Sequence, residues 1–280
     1  MRVVNAFGSS STLEDSLART ALDIKSIIGR QDYRKFVIVG MARTGSTLLI
    51  NLLNSHSQAL VFGELFRSPD SIGWDIPPFE TYQNARLLAL YQSDPLAFLR
   101  TSIFRRWPRA IAAVGFKLFY YHAREFPYSA TWDYLEKNTD ILVLHIKRKN
   151  VLEQFLSLRL AHLTDVWSST QAFGKAPEPV RLEAEACQEH FTQVRKLEAE
   201  CDAFFAKHEV KPVSYEDLTG DRAAEMQSVL RFLGLRPEPM STKIVRQRTE
   251  PLSRAIANYD ELKGAFANTE WADFFGDPGK

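Results

Sequence analysis

Cysteine is nearly absent: the 280 residues contain two, Cys187 and Cys201. Both fall on an apolar stripe with Phe191, Val194, Leu197, Phe204 and Phe205, spaced as one face of a helix. On a continuous helix rising 1.5 Å per residue they lie about 21 Å apart, too far to pair. This excludes a disulfide-stapled fold and predicts two buried thiols. No cysteine–histidine set has the spacing of a structural zinc site. No run of about 18 apolar residues is present, which excludes a spanning helix. The opening residues, MRVVNAFGSSSTLEDSL, lack the apolar centre of a signal peptide, and there is no Asn-x-Ser/Thr acceptor. Charge of one sign is missing as well: 35 basic residues against 34 acidic leave a net +1. No general pull on nucleic acid or membrane follows, so any anion site must be local. These absences together predict a soluble cytoplasmic protein.

What is present is an ordinary apolar share, 45%, enough for a sizeable core. Short β-branched runs alternate with helical patterns. Strands are expected at 36–40, 59–62, 111–119, 141–146 and 211–214. Helices are expected at 46–54, 81–92, 95–106, 150–163, 181–207 and 221–233. Such alternation predicts an α/β fold, a central parallel sheet with helices on both faces. Residues 34–280 read as one domain. Residues 1–33 read as an accessory segment whose helix carries Leu13, Leu17, Ala21, Ile24 and Ile28 on one face and packs on the domain. Two loops rich in Pro, Gly and Ser, 67–80 and 165–180, are long for a compact domain and are candidates for acceptor recognition and a lid.

Gly40–Thr47, GMARTGST, joins the first strand to an apolar helix. It has the GxxxxGK[ST] spacing of a phosphate-binding loop, in which backbone N–H groups at a helix N-terminus attract phosphate. Ser46 stands where the lysine belongs, and an arginine, Arg43, lies inside the loop. The missing lysine normally serves the β- and γ-phosphates of a triphosphate. A cradle without it points to a different anionic nucleotide, or to a chance glycine pair at a strand–helix turn.

The loop does not stand alone. Arg43-Thr44-Gly45-Ser46-Thr47, Asn54-Ser55-His56 and Gly63-Glu64 resemble the opening of the sulfotransferases that use 3′-phosphoadenosine 5′-phosphosulfate. Val114-Gly115-Phe116-Lys117 resembles that family's G-x-K strand. Ile141–Arg148 with Ser157 resembles its 3′-phosphate strand and helix, and Tyr215-Glu216-Asp217-Leu218 with Phe232-Leu233-Gly234 its Y-E-D-L and F-L-G pair. Ala42 and Ser57 replace the family's usual prolines. The segment 251–275, with NYDEL and WADFF, is similar to bacterial enzymes acting on lipo-oligosaccharides, of the nodulation-factor type. The resemblance covers roughly 35–275 and implies a P-loop-type sheet, transfer of a sulfuryl group to a hydroxyl, and a glycan or glycolipid acceptor.

That reaction needs a held 5′-phosphate, a base for the acceptor proton and recognition of the 3′-phosphate. The loop residues Thr44, Gly45, Ser46 and Thr47 supply the cradle. Arg43, permanently charged and forked, suits the leaving group; the alternative is a surface arginine. Glu64, just past a strand end, is the candidate base; the alternative is a turn cap or a pair with Arg67. Lys117 is the second cation, or a solvated strand-end lysine. His122 is a rival base. His56 is expected to bond a helix end, and His145 to be a satisfied core residue. Arg148 and Ser157 are the candidate 3′-phosphate ligands, with Lys149 competing for the arginine's place. Tyr215 is a candidate adenine contact, as its family counterpart is, or a packing residue. Arg246 and Arg248 can reach an anion. Phe66, Trp74, Phe79, Trp167 and Phe173 stack on a sugar or cover the core. The donor's charge demands no metal. Two other readings stay open: a P-loop kinase or NTPase, and a nucleotide-binding module without catalysis.

Overall fold

The computed structural model describes residues 12–80, 82–167, 178–245 and 250–276. In chain order the elements are α1 (Thr12–Ile27), β1 (Arg34–Gly40), α2 (Ser46–Asn54), β2 (Ala59–Phe62), α3 (Ala85–Ser93), α4 (Pro95–Phe98), β3 (Ala113–Phe119), α5 (Ala130–Lys137), β4 (Leu142–Lys147), α6 (Val151–Thr164), α7 (Ala184–Phe204), β5 (Val210–Ser214), α8 (Tyr215–Gly220), α9 (Arg222–Phe232), α10 (Leu252–Ala255) and α11 (Tyr259–Phe266).

The five strands form one parallel sheet in the order β2-β3-β1-β4-β5. A parallel sheet covered on both faces reads as near-continuous apolar runs. Here Phe36, Val37, Ile38 and Val39 are all fully buried, as is the whole of β3. The register sets Gly40 beside both Phe119 and Ile146, and Ser214 beside Lys147. The loops that leave β1, β3, β4 and β5 therefore share one edge. The chain goes first to one side of β1 and later to the other, so the switch point lies at β1, where such sheets bind ligands.

Sequence and structure differ mainly at helix boundaries. The helix expected at 81–92 begins later, at Ala85, because Asn84 caps it, accepting from the Leu87 N–H at 2.9 Å; the one expected at 95–106 does begin at Pro95, where Asp94 accepts from the Ala97 N–H at 2.9 Å. α4 then continues as a π-helical turn, Leu99–Ile103. α5 and α8 were not expected; they are 8 and 6 residues long, too short to show a period. α7 carries Cys187 and Cys201 buried and free. Beyond the main core, α6, α7, α10 and α11 enclose a second apolar cluster around Leu156, Phe191, Leu262 and Phe275. α1 does pack on the domain, but not by its apolar stripe: Asp15 and Ser26 are buried, whereas Leu13, Leu17, Ile24 and Ile28 are exposed.

Candidate active site

The sheet edge opens into a cavity of about 1480 Å³ whose walls include the loop after β1, Glu64, Lys117, His122, Arg148, Ser157 and Tyr215. The loop's shape follows from two left-handed residues, Arg43 (φ 67°) and Gly45 (φ 85°). At Gly45 a side chain is excluded twice over, by that φ and by the Tyr215 ring, which would lie 2.6 Å from an added Cβ. Three loop carbonyls are tied from behind. Thr44 Oγ1 donates to Met41 at 2.8 Å, Gln154 Nε2 to Ala42 at 2.7 Å, and Arg148 to Arg43 at 3.3 Å. The loop thus hands over to the N-terminus of α2 with its backbone fixed, the arrangement that favours a phosphate.

Two clusters of charge meet this cavity. In the first, Glu64 and Lys117 pair at 2.8 Å, with Arg67 and the His122 Nε2 each 3.9 Å from the carboxylate. The Glu64 side chain is only 17% exposed and that of Lys117 4%. Burial pushes the Glu64 carboxyl up, but the charge and hydrogen bond of Lys117, helped by Arg67 and His122, outweigh it and hold the group below the usual carboxylate range. His122 is pushed down to about 4, chiefly by burial. Its Nδ1 accepts the Phe119 N–H at 3.3 Å, so the neutral ring carries its proton on Nε2, towards Glu64.

In the second cluster Arg43 Nε donates to Ser157 Oγ at 2.9 Å and its other arm reaches the Trp167 carbonyl. Burial and the neighbouring Arg148 charge push Arg43 down to about 10, which leaves it charged at neutral pH. Arg148 lies over the Tyr215 ring at 4.2 Å, donates to Glu153, and has a buried Nε without a hydrogen-bond partner. An unmet buried donor is costly, about 1–3 kcal/mol, and it marks a position suited to an added acceptor. The Arg43 side chain is thus turned towards Ser157 and α6. Lys149 turns outward to Asp217 at 2.8 Å and is not in the cavity wall.

The remaining candidates are placed as follows. His56 is buried, bonded to the Arg236 carbonyl at 2.9 Å and to the Gln58 N–H at 3.0 Å. His145 is buried between Tyr120 (2.6 Å) and Asp202 (2.8 Å). Phe66, Trp74 and Phe79 belong to the core, where Phe62 packs against both Trp74 and Phe79 at 5.5 Å, and Phe66 and Trp74 also reach the cavity wall. Trp167 is partly exposed at the cavity wall. Phe173, Arg246 and Arg248 lie outside the described residues. Sequence reasoning missed Glu153 and Gln154, which share the inner end of α6 with Ser157, a link that the i, i+4 spacing from Glu153 to Ser157 could have signalled. It also missed Tyr121 and the 91% exposed Phe126 at the cavity wall, for which the sequence carries no periodic signal. Among the described residues no group of three or more acidic, histidine or cysteine side chains is disposed to hold a metal, and no helix is long and apolar enough to cross a membrane.

A parallel sheet of this order, with a phosphate loop on its central strand and a carboxylate–lysine pair beside it, defines a nucleotide-dependent group-transfer enzyme. The model of the Sulfotransferase family matches residues 35–239, and the chain belongs to that family. It is similar to nodulation protein H of Rhizobium tropici, with 30% identity over 249 residues, 86% of this chain and 92% of that one. Nodulation protein H of Rhizobium meliloti strain 1021 is 29% identical over 247 residues, covering 86% and 94%. A crystal structure of a sulfotransferase from Alicyclobacillus acidocaldarius overlaps with a TM-score of 0.46 at 20% identity, covering 84% of this chain and 91% of that one. The chain is thus a sulfotransferase that draws its sulfuryl group from 3′-phosphoadenosine 5′-phosphosulfate, and the kinase reading falls.

Proposed function

We propose that the two clusters divide the reaction between them. The loop of Thr44–Thr47 holds the 5′-phosphate end of the donor, with Gly45 allowing close approach. Arg148, Ser157 and Arg43 hold the 3′-phosphate, Arg148 through the donor that now has no partner. Tyr215, packed on Gly45 and under Arg148, contacts the adenine side. Glu64 takes the acceptor's proton as its oxygen bonds to sulfur; the bond from sulfur to the bridging oxygen breaks, and Lys117 meets the charge left on that oxygen. His122, a donor at Nε2, positions Glu64 and is not the base. No metal enters this scheme. The catalytic unit is 34–280, with 1–33 as its accessory segment, working in a reducing cytoplasm where Cys187 and Cys201 stay thiols.

The acceptor we propose is a sugar hydroxyl of a glycan or glycolipid. The similarity of 251–275 to enzymes of the nodulation-factor type supports it. So does the polar far wall of the cavity, where Arg67, Asp75, Glu80 and Gln83 offer donors and acceptors to several hydroxyls.

The observation that carries this reading is that one cavity joins a buried carboxylate–lysine pair to a loop flanked by two arginines. The test is calorimetric titration with 3′-phosphoadenosine 5′-phosphate beside ADP, followed by turnover of Glu64→Gln with a lipo-oligosaccharide acceptor. We expect the 3′-phosphorylated nucleotide to bind at least about tenfold tighter, 1.4 kcal/mol. Glu64→Gln should keep that affinity while losing about 10²–10⁴ in kcat. Unchanged turnover would remove Glu64 from the reaction.

A further inference from the structure

An amphipathic helix in a globular protein ordinarily turns its apolar stripe to the core and its polar face to water. α1 does the reverse. Its inward side is mostly polar: only Leu22 packs on the main core, whereas Asp15 and Ser26 are buried, Arg19 reaches the Pro78 carbonyl and lies 4.9 Å from the Tyr82 ring, and Asp23 pairs with Arg105 at 2.6 Å. The end of the helix is pinned where Arg30 bridges Trp107, and Gly29 sits so close to the Trp107 carbonyl that a side chain there would meet it at 2.3 Å. With that side fastened, Leu13, Leu17, Ile24, Ile27 and Ile28 stand outward, each between 62% and 72% exposed. At 100° per residue they and Ala21 fill an arc of about 120°, the width of a helix-packing stripe.

We propose that this stripe is a homodimer interface, in which α1 packs antiparallel on α1 of a second copy. The stripe is self-complementary under a two-fold axis near Thr20 and Ala21. Leu17 of one helix then faces Ile24 of the other, and Leu13 faces Ile28. Charge supports the same register. Glu14 and Lys25 border the same edge of the stripe, and in an antiparallel pair like edges meet. Glu14 of one copy comes to within two residues, about 3 Å along the axis, of Lys25 of the other, inside the reach of those side chains. The opposite edge sets Asp23 beside Ser16, so no like charges are brought together. An isologous contact of this kind closes at two subunits. It leaves the cavity open, since no residue of α1 is in its wall.

The experiment is light scattering of the full chain over a rising concentration series. We expect the mass to approach twice 32.0 kDa. Leu17→Asp/Ile24→Asp should be monomeric while keeping wild-type turnover, which shows that it is folded. Glu14→Lys should weaken the dimer about tenfold, and Glu14→Lys/Lys25→Glu should restore it. Leu17→Cys protein mixed with Ile24→Cys protein should crosslink on oxidation, and neither should crosslink alone. A wild type that stays monomeric throughout, or a dimer that survives Leu17→Asp/Ile24→Asp, overturns the proposal. So does a monomer that sediments with phosphatidylcholine–phosphatidylglycerol vesicles and loses that binding in Leu17→Asp/Ile24→Asp, which would make the stripe a lipid-facing surface.

Discussion

Arg148 and Lys149 are adjacent in sequence and opposite in placement. The guanidinium is enclosed between Tyr215 and the phosphate loop, whereas the ammonium is exposed and paired with Asp217. Arg148→Ala should therefore weaken 3′-phosphoadenosine 5′-phosphate by about 10²-fold or more, in line with about 3 kcal/mol for a charged hydrogen-bond partner, while Lys149→Ala leaves the affinity within about threefold. Calorimetry of both variants checks this, and equal effects would contradict the placement. Glu64 allows a second prediction. Its depressed pKa depends on Lys117 as the chief opponent of burial. Lys117→Met removes that charge and leaves burial less opposed, so the carboxyl should rise. The acid limb of kcat/KM, set by the ionised base, should then move to higher pH in the residual activity of the variant. An acid limb that stays in place would mean that Glu64 is not the group titrating.

At the level of elements, the link between β1 and α2 decides the site. The loop is held by Gln154 from α6 and Arg148 from the end of β4, and by Tyr215 at the start of α8. Gly45→Ala meets both a left-handed φ and the Tyr215 ring. It should cost about 1–3 kcal/mol of stability and displace Tyr215, so that nucleotide affinity falls more than melting temperature alone would suggest. Titration and thermal melting of the same variant separate the two effects. The loop itself was legible from its glycines and flanking strand. The role of Gln154 was not, because it depends on the Ala42 carbonyl, far away in sequence.

For the whole molecule, three enclosed histidines, two buried and His190 half-buried, are held in neutral form. His122, His145 and His190 are each pushed down to about 4, with burial the leading cause. The unfolded chain binds protons at these sites from the ordinary value of 6.5 downward, and the folded chain only near 4. Stability from this source is therefore complete above 6.5 and is lost as pH falls towards 4. Glu64, whose folded pKa is depressed, adds stability that disappears as pH falls through its own lower value. Melting temperature should fall steadily between those limits. His190 Nε2 is buried without a partner, and its ring stacks on Phe155 at 4.6 Å. His190→Phe should make the slope shallower without touching the cavity; an unchanged slope would remove His190 from the titration.

The alternation of strands and helices, the phosphate loop with its lysine replaced by Ser46, and the order of the motifs that mark a sulfotransferase are all legible along the chain. These are local properties: period, turn chemistry and spacing along one chain. Packing of distant segments sets the rest: Glu64 pairs with Lys117, Arg43 turns to Ser157, Arg148 and not Lys149 enters the cavity, and Phe79 is kept to the core while Phe66 and Trp74 border both core and cavity. It also decided that α1 fastens its polar side and leaves its apolar stripe outward. The direction of a side chain at a strand end or on a helix is set by the elements packed around it, and in a parallel sheet those neighbours come from distant segments. The register of β1 against both β3 and β4 brings them together, and no local pattern encodes that register.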